Sequence, residues 1–162
     1  MVQTKKELEV ATFGAGCFWG VEEVFYNTKG VKSTNVGFMG GTVKNPSYEL
    51  VCMGNTGHAE VVQLKYNLKE VSYKDLLRIF WKIHNPTTKN KQGPDIGNQY
   101  RSVIFYHTPE QKSLAEKSKK ELEKSAKYKK PIVTEIEPVK PFYEAEEYHQ
   151  KYFQKKGGSC HV

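Results

Sequence analysis

The sequence predicts a single mixed α/β (α+β) domain, a small sheet with helices packed on it. Three observations carry that expectation. Stretches of two-residue alternation and stretches of helical periodicity follow one another along the chain. No repeat, linker or composition break divides the 162 residues, a normal length for one domain with its own core. The mixed order of strands and helices comes without a dinucleotide-binding glycine fingerprint.

Leu8 to Phe13 reads as a short strand. Val21 to Tyr26 reads as a helix with Glu22 and Glu23 in its first turn, and the helix should begin near Cys17 and end before Gly30. Val31 to Met39 is the next strand, broken by Gly40-Gly41. Residues 40–57 show turn chemistry and little periodicity, at Asn45-Pro46-Ser47, Gly54-Asn55 and Gly57. Such a loop is more often functional than idle. His58 to Tyr66 resumes as a strand through Val62, Leu64 and Tyr66. Ser72 to Ile83 is a helix, capped by Ser72 with Asp75 three residues on, and Leu76, Leu77, Phe80 and Trp81 form its core stripe. Residues 87–99 form a second structureless stretch, and Ser102 to Tyr106 reads as a central strand. Thr108, Pro109 and Gln111 open a long helix reaching about Tyr128, with Gln111 completing a capping box. Glu116 with Lys120 and Glu123 with Lys127 are spaced for ion pairs along it. Ile132 to Pro138 alternates, and its proline suggests an edge or strand end. Phe142 to Phe153 is an aromatic-rich helix or extended segment carrying His149, and Lys155 to Val162 is a polar tail carrying Cys160.

The formal net charge is +7, but residues 110–130 hold eight lysines against four glutamates and so account for +4 of it. The basic character therefore sits mostly on a solvated helix face, which argues against a nucleic-acid groove. Residues 1–7 lack an apolar signal core, and no stretch approaches a membrane span. The expectation is a cytoplasmic protein, a monomer, with no nucleic-acid or membrane partner.

Three cysteines, Cys17, Cys52 and Cys160, are too few and too scattered for a disulfide scaffold. Their odd count points to free thiols, or to one transient pair and a bystander. Cys17 stands where a strand hands over to a helix, flanked by Gly16 and Gly20 and followed by Phe18 and Trp19. A helix start favours a thiolate there and would lower the thiol pKa. The alternative is a buried cysteine that simply packs, with the aromatics as ordinary core. The two irregular stretches supply Tyr48, Glu49, Cys52, His58 and Glu60, then Asn90, Asp95, Gln99, Tyr100 and Arg101. If their ends meet at one side of the sheet, they gather an acid and two phenols around a thiol, and a thiolate nucleophile needs such a partner. A zinc site is disfavoured by the lack of close ligand pairs. A Cys-His hydrolase using His58 or His149 leaves Cys160 without a role, whereas redox thiol chemistry gives the tail cysteine one as a resolving thiol.

Gly16-Cys17-Phe18-Trp19-Gly20, Gly37-Phe38-Met39-Gly40-Gly41, Thr56-Gly57-His58-Ala59-Glu60, His84-Asn85-Pro86-Thr87-Thr88, the run Gln92 to Ser102, and Tyr148-His149-Gln150 with Tyr152 occur in this order. With them the chain resembles, over nearly its whole length, the A-type peptide-methionine sulfoxide reductases, which act on the S-epimer. The resemblance implies a two-layer α/β fold with a ferredoxin-like core and long loop excursions. It implies Cys17 as nucleophile on the sulfoxide sulfur, Phe18 and Trp19 as the pocket for the S-methyl group, and Glu60 as the acid on the sulfoxide oxygen. Tyr48 and Tyr100 would help hold that oxygen, and Asp95 would organise the site. Burial beside apolar rings would raise the pKa of Glu60 toward neutrality. Cys17 would end as a sulfenic acid and form a disulfide with Cys160, reduced in turn by thioredoxin or another dithiol, with no bound cofactor. Cys52 is the alternative resolver. Asn85 stands where the family commonly has Asp, and Phe38 where it commonly has Tyr, losing a hydroxyl.

Overall fold

A computed structural model describes residues 8–156. The tail cysteine Cys160 and its Gly157-Gly158 approach lie outside the described residues. Strand β1 (Leu8–Ala15), helix α1 (Phe18–Tyr26), β2 (Val31–Met39), α2 (Tyr48–Cys52), β3 (Ala59–Asn67) and α3 (Tyr73–Lys82) come first. Then follow β4 (Lys91–Gln92), β5 (Asp95–Ile96), β6 (Ser102–Tyr106), α4 (Pro109–Lys124), β7 (Glu135–Pro138), β8 (Tyr143–Glu144) and α5 (Tyr152–Lys156). The main sheet has six strands in the order β7-β6-β1-β3-β2-β8, while β4 and β5 form a separate hairpin. Strands β6, β1, β3 and β2 pair antiparallel, and α1 and α3 make the crossovers between strands of like direction. This is a split β-α-β connectivity.

Alternation along the strands decides which face is covered. Phe13, Val36, Phe38, Val62, Leu64, Tyr66 and Ile104 share one core with Phe18, Val21 and Phe25 of α1 and with Leu76, Leu77 and Phe80 of α3. That face carries the helices. The opposite face has a smaller cluster, Met39, Ala59, Val61, Val103 and Phe105, against Phe142. Glu60 alternates with Val62 and Leu64, and it pairs in register with Phe38. The alternation therefore drives its carboxyl into the helix-covered face.

The helix starts follow their expected chemistry. Ser72 Oγ accepts from Asp75 N at 3.1 Å and Ser72 N donates to Asp75 Oδ2 at 3.1 Å, a complete capping box. Trp81 is core, its indole N–H donating to Ser118 Oγ at 2.6 Å. Pro138 ends the outer strand β7.

Several expectations are corrected. Helix α1 starts at Phe18, so Glu22 and Glu23 lie beyond its first turn. Helix α4 stops at Lys124 because Ser125 caps it and Ala126 turns left-handed with φ 58°. Gln111 N donates to Thr108 Oγ1 as expected, but its side-chain oxygen accepts from His107 N, one residue short of a closed box. Neither Glu116–Lys120 nor Glu123–Lys127 is among the ion pairs formed by the described residues, and Lys127 instead lies over the Tyr128 ring. The strand 102–106 is interior rather than central, since β1 and β3 hold the middle. The two structureless stretches contain helix α2 and the β4–β5 hairpin. Ser47 starts the former by accepting from Leu50 N. Lys155, placed in the tail by the sequence, belongs to α5.

Candidate active site

Cys17 occupies the residue before α1, directly after β1. Gly16 makes that handover with φ +101°, and a Cβ there would sit 2.9 Å from Cγ of Gln92. Glycine is thus required both for the turn and for the close approach of the hairpin strand β4. Gln92 is itself locked, accepting from Asn85 N at 2.9 Å and donating to Asn85 O at 2.5 Å. This brings the second irregular stretch against the cysteine.

The first stretch arrives through β3. Glu60 is 1% exposed, and its Oε1 accepts from Phe18 N at 3.2 Å. Its Oε2 is buried and has no hydrogen-bond partner. Burial pushes the Glu60 pKa from 4.5 to about 8, with the Phe18 amide pulling down and Asp95 adding to the rise. The carboxyl is therefore largely protonated at neutral pH. Because Oε1 receives an N–H, the proton belongs on Oε2, the free atom. The sequence expectation of a neutral-range acid agrees with this value.

The expectation for Cys17 does not. Burial pushes its thiol up to about 12, the Glu60 charge adds to this, and the amides of Trp19 and Gly20 pull down without winning. Desolvation of a thiolate outweighs one helix end. Tyr48 and Tyr100 are half-buried, and burial and then the Glu60 charge raise both phenols, keeping them protonated donors. Asp95, on β5, bears on Cys17, Glu60 and Tyr100 through its charge. Cys52 ends α2 with its thiol toward the Tyr48 phenol, and the Glu60 charge reaches it.

Phe18 is 1% exposed and packs on Phe38 at 5.7 Å, Tyr48 at 6.2 Å and His149 at 5.4 Å between centroids. Trp19 stacks on Tyr152 at 3.8 Å and donates its indole N–H to His149 Nδ1 at 2.9 Å. Cys17 also lines a cleft of about 730 Å³, together with Gly20, Val21, His84, Gln92, Pro94, Asp95 and Tyr128. A smaller groove of about 350 Å³ between α3 and α4 contains none of these chemical groups.

The structure thus gathers Cys17, Glu60, Tyr48, Tyr100, Asp95, Phe18 and Trp19. It removes both histidines as bases for Cys17. His58 accepts from Gly41 N at Nδ1 and contacts Val43 O through Nε2, strapping the first loop. His149 is engaged by Trp19. The sequence did not single out Tyr152 for a role, nor Glu22. Glu22 is 1% exposed and binds Thr34 Oγ1 at 2.7 Å and Lys151 N at 2.6 Å. The advance signals for Tyr152 were its place in the motif with Tyr148-His149-Gln150 and the aromatic density of residues 142–153, neither of which gave it a role. Among the described residues no cluster of His, Cys, Asp and Glu fits a metal ion, and no helix is long and apolar enough to cross a membrane.

A half-buried thiol within reach of the charge of a buried, protonated carboxyl with one free oxygen, beside aromatic rings, suits a cysteine-dependent oxidoreductase. The family model "Peptide methionine sulfoxide reductase" matches residues 9–162. The chain is 64% identical over 154 residues to peptide methionine sulfoxide reductase MsrA of Methanoculleus marisnigri, covering 95% of this chain and 94% of that one. It superposes on the reduced form of Mxr1 from Saccharomyces cerevisiae with a TM-score of 0.88 at 38% identity, covering 96% of this chain and 89% of that one. It also matches Mxr1 in complex with Trx2, with a TM-score of 0.65 at 30% identity, over 91% of this chain and 86% of that one. The chain belongs to the peptide methionine sulfoxide reductase family.

Proposed function

We propose that this protein reduces the S-epimer of methionine sulfoxide, free or within proteins, to methionine with thiols as the electron source. The observation that carries this reading is the buried, unpartnered Oε2 of Glu60, on a carboxyl that burial keeps protonated and whose charge reaches Cys17. A sulfoxide oxygen is a poor leaving group until protonated. Glu60 donates the proton, and Tyr48 and Tyr100 hold the oxygen by hydrogen bonds. Phe18 and Trp19 receive the S-methyl group, and Asp95 organises the site through its charge. Cys17 attacks the sulfur, and the net first step passes the sulfoxide oxygen to Cys17. Methionine leaves, and Cys17 becomes a sulfenic acid.

A second thiol then attacks the Cys17 sulfur, forming a disulfide and releasing the oxygen as water. Cys160 takes this role, and thioredoxin reduces the bond, as the Mxr1–Trx2 complex suggests by kinship. No bound cofactor enters the cycle. The protein acts as a cytoplasmic monomer with a single catalytic domain, and takes no nucleic-acid or membrane partner. Cys52 is the competing resolver because it already adjoins Tyr48 and feels Glu60.

Mass spectrometry after one equivalent of methyl sulfoxide tests the cycle. A Cys17–Cys160 disulfide is expected. Cys160→Ser should release about one methionine per enzyme and then stall with thioredoxin. Normal turnover by that variant would transfer the role to Cys52. Near wild-type reduction by Cys17→Ser would sink the whole reading.

A further inference from the structure

His149 is fully buried in a ring cluster, with centroids 4.3 Å from Tyr48, 5.4 Å from Phe18 and 5.6 Å from Trp19. An indole N–H only donates, so the 2.9 Å contact from Trp19 Nε1 fixes His149 Nδ1 as the acceptor and puts the ring proton on Nε2. Nε2 is buried and has no partner of its own. The backbone that carries this ring is held on both sides. The Gln150 amide accepts from Val36 N and donates to Val36 O and Ala145 O, each at 2.9 Å. Lys151 N donates to Glu22 Oε1 at 2.6 Å. Trp19 is thus gripped twice, by the Tyr152 ring stacked at 3.8 Å and 6° and by a directional bond to an immobile imidazole. A stack alone lets a ring slide in its own plane; the hydrogen bond removes that freedom.

We propose that His149 is a positioning residue for the S-methyl pocket: as a neutral hydrogen-bond acceptor it locks the Trp19 indole, and that lock sets the discrimination between methyl and larger alkyl sulfoxides. The inference rests on the reading of Trp19 as the methyl contact. One methylene in an apolar pocket is worth about 10–200-fold in rate discrimination, and only a wall that cannot move sustains it. Loosening the indole admits the larger group without removing the nucleophile or the acid.

The test compares single-turnover kcat/KM for methionine sulfoxide and ethionine sulfoxide. His149→Phe keeps a ring but removes the acceptor, and it should lower the methyl-to-ethyl ratio by about 5–10-fold. His149→Asn carries an amide oxygen near the Nδ1 position and should restore the ratio to within about 3-fold of the parent. His149→Gln, whose oxygen reaches toward Nε2 instead, should behave like His149→Phe and serves if the latter does not fold. In a Trp81→Phe background Trp19 is the sole tryptophan of the two. Its emission maximum should shift in His149→Phe and return in His149→Asn. A ratio unchanged in both His149→Phe and His149→Gln, while Trp19→Leu lowers it, would overturn the inference alone. A ratio unchanged in Trp19→Leu would overturn the methyl-pocket reading, and the inference with it.

Discussion

Glu60 and Cys17 are tuned by each other as much as by burial. Glu60 holds its proton up to about pH 8 because it is buried, and its charge, once formed, is the second cause of the high Cys17 value. Two measurements on Glu60→Gln should therefore move in opposite directions. Single-turnover sulfoxide reduction should fall by about 10²–10⁴-fold, the range for a positioned general acid. It should also lose the decline above pH 8 that the parent shows as Glu60 ionises. Alkylation of Cys17 above pH 8 should become faster, since removing a facing negative charge favours the thiolate. Reduction and alkylation changing together would reject the assignment. The sequence suggested the opposite shift for Cys17 because only the local helix start was visible. The dominating causes, burial and a carboxyl on a strand some forty residues away, exist only once β3 is laid beside β1. Glu60 was legible only through the resemblance carried by Thr56-Gly57-His58-Ala59-Glu60, and the strand register explains its burial afterwards.

At the level of elements, the strong periodic segments were legible because their chemistry is local. Ser72 with Asp75 closes its box without help from the rest of the chain. The short elements were not. Helix α2 and the β4–β5 hairpin exist because other parts brace them. Glu146 Oε2 accepts from Tyr48 N, and Gln92 pins the hairpin to Asn85. Glu22 shows the same dependence on distant partners. Local reading made it a helix-start acid, whereas the fold uses it to clip α1 to β2 and to the segment bearing His149 and Tyr152. Glu22→Ala would leave the Thr34 hydroxyl and the Lys151 amide without their acceptor. A buried donor left unsatisfied costs about 1–3 kcal/mol, so the two together predict a loss of about 2–6 kcal/mol in urea unfolding. Amide exchange at Lys151 should accelerate before global unfolding, with a rise in KM as the Trp19 clamp loosens. An unchanged Lys151 exchange rate would show that Gln150 holds the segment unaided.

For the molecule as a whole, the site has a cost that pH reveals. Glu60 titrates near 4.5 when exposed and near 8 in the fold. Below pH 4.5 it is protonated in both states and contributes no pH dependence. Between 4.5 and 8 the unfolded chain releases the proton while the native protein keeps it, so the native state binds more protons and stability falls as pH rises. Above 8 both states are ionised and the full penalty of the buried, half-partnered carboxylate remains. A shift of this size corresponds to about 3–5 kcal/mol. Glutamine keeps the volume and an acceptor for the Phe18 amide but never ionises. Glu60→Gln should therefore match the parent near pH 4.5 and become progressively more stable than it toward pH 8, with a constant advantage beyond. Urea midpoints for both proteins at half-unit pH steps measure the difference directly. A flat difference across that window would mean that Glu60 is not held protonated by the fold, and the proposed proton donor would be lost with it. Diverging curves would show instead that the protein sacrifices stability at the position its chemistry requires, as active sites commonly do.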